Sequence, residues 1–145
     1  MSGDLPLPDH AYLPGQTTRH AEGAFDVLRD SARPGMGAAA LADTPAFRAG
    51  LLYLEKGYFW EAHEVLEPVW MAQPQGSAER YFLQALIQLA NARLKARMQR
   101  PRAVARLGAM VVRHLDECLA AGGGDVVMGV AIAPLRAEAE AMAGV

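Results

Sequence analysis

The residues of this chain best suited to chemistry lie in YFWEAHEVLEPVW, residues 58–70, where His63, Glu64, Glu67 and Trp70 fall within about two turns of one predicted helix. An imidazole and a carboxylate within hydrogen-bonding reach can pass a proton, and the same groups can ligate a divalent metal. At about 100° per residue from Phe59, Leu66 falls near 340°, Trp70 near 20° and His63 near 40°, so His63 sits inside the apolar face. Glu67 falls near about 80°, four residues past His63, where a hydrogen bond between them is easy, while Glu64 and Glu61 point out toward about 140° and 200°.

Two readings of the pair stand side by side. In one, His63 is a base or metal ligand, Glu67 orients it and Trp70 forms an apolar wall. In the other, His63 and Glu67 form a buried network that fixes helix register, because an unsatisfied buried polar group costs about 1–3 kcal/mol. Pro68 bears on both. Inside a helix it cannot donate to the carbonyl of Glu64, which is then left free beside the pair.

The next predicted helix carries a polar stripe of Arg80, Gln84, Gln88, Asn91 and Lys95 within about 80° of arc. Gln84 and Gln88 facing His63, Glu64 and Glu67 would satisfy both helices. The start of an H-E-x-x-H zinc motif is present at His63-Glu64, but its second histidine is missing, and His20 or His114 would have to be recruited. A divalent metal on His63 and Glu67 is therefore the open cofactor alternative. No nucleophile or glycine-rich phosphate loop is visible, and the Gly122–Gly124 run reads as a helix stop.

His63, Glu67 and Trp70 spell H-x-x-x-E-x-x-W inside GYFWEAHEVLEPVW, and LQALIQLA follows at 83–90. Together these resemble the DUF309 family of small bacterial and archaeal proteins, over roughly residues 47–120. The resemblance implies an all-helical fold with no established biochemical activity. It also implies a site on His63, Glu67 and Trp70, with Glu64 and the glutamines of LQALIQ beside them. The arm LPGQTTRHAEGAFD is similar to the N-termini of some proteobacterial members. Two departures stand out: Pro68 where an acidic residue is common, and Ala85 in place of the usual glycine.

The elements that must position these residues are helices. Period-2 alternation bounded by hairpin turns is missing, so the expected fold is all-α: a compact antiparallel bundle of about five to six helices behind an irregular N-terminal arm. Residues 1–19, with Pro6, Pro8, Pro14 and Gly15, read as an extended arm lying on the domain or left loose, and residues 20–145 as one helical domain with its motif-bearing core at 45–121. HAEGAFDVLRDSA from His20 reads as a short helix with Phe25 and Leu28 inward. Thr44 and Pro45 start a firmer helix that Gly57 ends, Ser77 caps the next, and Pro101 opens one running to the triple glycine. The tail from Asp125 reads as helix, restarted at Pro134.

Composition sets the partners to expect. The chain of 145 residues is 52% hydrophobic and carries 14 basic and 16 acidic residues, a formal charge of −2, which speaks against disorder and against a nucleic-acid binder. One cysteine, Cys118, excludes an internal disulfide and fits a reducing cytoplasm. The N-terminus lacks the pattern of a signal peptide, and VVMGVAIAPL at 126–135 is about half a membrane span, so no membrane partner is expected. An unknown small ligand, a protein partner or self-association through apolar surface remain the expected classes. Six basic residues, Arg93, Lys95, Arg97, Arg100, Arg102 and Arg106, crowd the turn at Pro101, where either a solvated corner or an anionic partner would account for them.

Overall fold

A computed structural model describes residues 5–145. The first firm helix, α3 (Pro45–Lys56), follows two short ones, α1 (Asp26–Asp30) and α2 (Ala38–Ala42). Its start is set locally: the Thr44 hydroxyl accepts from the Phe47 N–H, and Pro45 stands where no intrahelical donor is needed. Gly57 ends it at φ 92°, a left-handed conformation that glycine adopts without strain. The chain then folds straight back as α4 (Phe59–Ala72), packed so closely on α3 that a side chain at Gly50 would collide with Leu66.

Ser77 caps α5 (Ala78–Arg97) by accepting from the Arg80 N–H, and Pro101 opens α6 (Pro101–Ala120). The long α5 packs against both α4 and α6, which explains its broad apolar circumference. One core cluster, with Phe47, Tyr53, Val65, Leu66, Phe82 and Leu86, lies among α3, α4 and the first half of α5. A second, with Ala85, Leu89, Val111, Leu115 and Ala139, joins α5, α6 and α7 (Ile132–Ala143). Ala85 is buried in that second cluster against residues of α6 and α7. The result is an all-α bundle. No helix among the described residues is long and apolar enough to cross a membrane.

Three details differ from the sequence reading. The helix expected from His20 is confined to Asp26–Asp30, because Gly23 takes φ 78° and turns the chain just before it; Phe25 and Leu28 still pack inward. Ala38–Ala42 forms its own short helix ahead of Thr44. The tail does not run as helix from Asp125: β1 (Val126–Val127) pairs antiparallel with β2 (Val130–Ala131) before α7 begins. Met128 and Gly129 both have positive φ, 50° and 79°, as a tight hairpin turn of matching twist requires. Strands of two residues are too short to show alternation. Pro134 falls in the first turn of α7, where its missing N–H costs nothing.

Candidate functional site

Glu61 is the departure with the largest consequence. Expected to point outward, it has no solvent exposure at all. The arm covers it: the Tyr12 backbone N–H donates to Glu61 Oε2 at 2.7 Å, and His20 Nε2 lies 2.6 Å from the same oxygen. Glu61 Oε1, equally buried, has no hydrogen-bond partner. A carboxylate taken from water with one oxygen unserved is costly, so the surroundings must be held firmly for it to persist. Its field is felt nearby. Burial, and secondly the Glu61 charge, push the Tyr53 hydroxyl above its ordinary 10.0.

The His20 imidazole sits in an aromatic nest. It stacks on His10 with centroids 4.4 Å apart, lies parallel to Trp60 at 6.0 Å, and meets the Phe25 ring edge-on at 5.0 Å. Tyr12 contacts Trp60 edge-on at 5.1 Å. A cleft of about 530 Å³ opens beside this nest between residues 19–29 and α4, lined by Arg19, His20, Phe25, Arg29, Trp60 and Glu64 among others. It therefore combines an oriented imidazole, cations and aromatic walls.

The residues singled out from the motif lie along the neighbouring turns of α4, and they pair differently from expectation. The hydrogen bond from His63 to Glu67 does not form. Glu67 Oε1 instead accepts from Arg29 Nη2 at 3.1 Å, and Arg29 Nη1 donates to the Glu64 carbonyl that Pro68 leaves free. A guanidinium presents several donors in a fixed fork, so it can serve a carboxylate and a carbonyl together. The Glu64 carboxylate lies 3.8 Å from Arg29 and 3.5 Å from His63 Nδ1, a buried nitrogen without a hydrogen-bond partner.

Trp70 carries the Arg80 guanidinium 4.5 Å above its ring, and its buried indole N–H has no acceptor. Gln84 and Gln88 are half-buried on α5, and Gln88 accepts from Asn91 at 3.3 Å. Neither amide hydrogen-bonds His63, Glu64 or Glu67 among the described residues. His114, the other histidine considered for recruitment, is buried on α6 and pairs with Glu117 at 2.8 Å. Among the described residues no three His, Cys, Asp or Glu side chains converge as a metal would need.

Residues 47–107 match the family model DUF309, described as a domain of unknown function. This span is a DUF309 domain. No curated protein and no solved structure matches the chain. The DUF309 span holds most of α3, all of α4 and α5 and the first turns of α6, and with them Trp60, Glu61, His63, Glu64, Glu67 and Trp70. Tyr12, His20 and Arg29 lie outside it. The cleft is thus lined mostly by the segment preceding the DUF309 span, which itself contributes Trp60 and Glu64.

Sequence reasoning passed over Tyr12, His20 in this role, Arg29, Trp60 and Glu61. One signal was available: residues 10–20 hold Tyr12 and two histidines, His10 and His20, all groups that need partners. A wheel drawn for α4 alone contains no information about what the arm covers.

Proposed function

We propose that the cleft between residues 19–29 and α4 is a small-ligand site in which His20, held by Glu61, moves a proton. The observation that carries this reading is Glu61, a carboxylate with no exposure that serves an imidazole at 2.6 Å on the wall of a 530 Å³ cleft. A buried carboxylate fixes the tautomer and orientation of the ring it contacts, which is the arrangement general acid–base chemistry needs. In this reading Trp60 and Phe25 supply flat apolar walls, and Arg19 offers a cation to an acidic substituent. His63, Glu64, Glu67 and Trp70 then act at one remove, because Glu64 and Glu67 hold Arg29 at the edge of the cleft. No metal is assigned to His63 and Glu67, since Glu67 already neutralises Arg29.

The test is a fragment screen followed by amide and indole NMR shifts in wild type and His20→Gln. Binders are expected to move the Trp60 indole and the Gly23 and Ala24 amides, and to lose affinity in the variant. Binders that ignore the substitution, or shifts gathered elsewhere on the bundle, would sink the proposal.

A second, non-catalytic reading rests on the Tyr12 N–H, which reaches Glu61 from 49 residues away. Here the arm is a strap and Glu61 its anchor, in a scaffold that presents its surface to a partner. Both readings expect His20→Gln to lower stability, by about 1–3 kcal/mol. They separate on ligand response, which only the first requires.

A further inference from the structure

The six basic residues near Pro101 divide into two groups with different uses. Arg93 and Arg97 are engaged by the fold. Arg93 makes a forked pair with Glu138 at 2.8 and 2.7 Å and also donates to the Leu54 carbonyl, while Arg97 donates to the Gly57 carbonyl at 2.6 Å. Both therefore serve carbonyls at the end of α3 that the helix itself leaves unpaired. Lys95, Arg100, Arg102 and Arg106 have no such work: among the described residues, none of their side chains makes an ion pair or a hydrogen bond.

These four line a separate cleft of about 450 Å³ at the α5–α6 turn, together with Gln99, Pro101 and Ala103, and no carboxylate lines it. In a chain with 16 acidic and 14 basic residues, four cations around one concavity without a counter-charge raise the local potential well above that of the surrounding surface. The backbone adds to it. The first-turn N–H groups of the 20-residue α6 have no intrahelical acceptor, and no side chain caps them. The turn is held in a defined shape, with Gln99 at φ 61° and the Arg100 N–H bonded to the Lys95 carbonyl at 2.9 Å.

We propose that this cleft binds a small phosphate-bearing ligand, with Lys95, Arg100, Arg102 and Arg106 as its cations. Guanidinium forks match phosphate oxygens in pairs, and a volume of this order admits a small organic phosphate. No aromatic side chain lines the cleft to stack a base, so a nucleic-acid strand is the poorer match. The site is independent of the arm cleft and does not rest on the function proposed for it.

Inorganic pyrophosphate, titrated calorimetrically into the full chain at low salt, is the probe. Saturable one-to-one binding is expected, weakening as salt rises. It should fall by at least about tenfold in Arg102→Gln/Arg106→Gln and in Lys95→Gln/Arg100→Gln, because each pair removes charge-assisted hydrogen bonds. These exposed or half-buried positions should leave the helical circular dichroism unchanged, and two separate pairs guard against one failing to fold. Arg33→Gln, at an exposed position that lines neither cleft, should bind pyrophosphate as wild type does. Absent heat, binding by both double variants equal to wild type, or loss of binding in Arg33→Gln would each overturn the proposal. So would tighter binding of single-stranded oligonucleotides with stoichiometry that scales with their length.

Discussion

Tyr53 reports on the dry region around Glu61 through its own titration. Its hydroxyl is held above the ordinary 10.0 first by burial and then by the Glu61 carboxylate, so the folded protein keeps that proton to higher pH than the unfolded chain does. The stability this confers is complete below about pH 10 and is lost as pH climbs from there through the folded value, at up to about 1.4 kcal/mol per pH unit. Urea unfolding of wild type and Tyr53→Phe at pH 8 and pH 11 should show wild type losing more stability between the two; equal losses would mean that Tyr53 ionises freely in the fold. Cys118 offers a parallel check. Burial, and secondly Glu79, push its thiol up, and only 2% of the residue is exposed. It should resist a disulfide reagent at neutral pH and react once urea unfolds the chain, since reactivity follows accessible thiolate. Residues of this kind are hard to place from sequence. The types at 58–70 were visible, but burial of Glu61 depends on Tyr12 and His20, far away in the chain.

Helix ends were the most legible feature of the sequence, because each is decided by two or three neighbouring residues. Thr44 with Pro45, Gly57, Ser77 and Pro101 each mark a boundary the structure keeps. Gly57 gives the sharpest test. An alanine there would have to adopt φ 92°, and its Cβ would come within 2.9 Å of Arg97 Nη2, displacing the guanidinium from the Gly57 carbonyl. Gly57→Ala should cost about 1–2 kcal/mol from the backbone conformation alone, measured as a lowered urea midpoint. The helix interiors were legible too, with one instructive gap at Pro68. The sequence shows that the Glu64 carbonyl loses its donor, and the structure supplies Arg29 from α1 as the replacement. The hairpin at Val126–Ala131 was illegible for the opposite reason, being too short to carry a pattern. Its only signal was the glycine of Met128-Gly129.

At the scale of the whole molecule the arm meets the bundle through residues far off in sequence, Tyr12 on Glu61 and on Trp60. Deleting residues 1–18 removes the Tyr12 donor and opens Glu61 to water. The loss should be about 1–3 kcal/mol, with faster amide exchange in the first turns of α4 and unchanged protection where α5, α6 and α7 pack together. Equal protection of α4 in the truncated chain would show that the arm contributes no cover. The helices, by contrast, pack on their neighbours in the chain, α3 on α4, α4 on α5, α5 on α6 and α6 on α7. That order of contacts gives the arm a distinct history during synthesis. Tyr12 leaves the ribosome first, yet its anchor follows 49 residues later, a wait of roughly 2–10 seconds at ordinary translation rates. Through that interval the nascent Tyr12 lacks its anchor, and a segment made before the bundle is among the last to find its place.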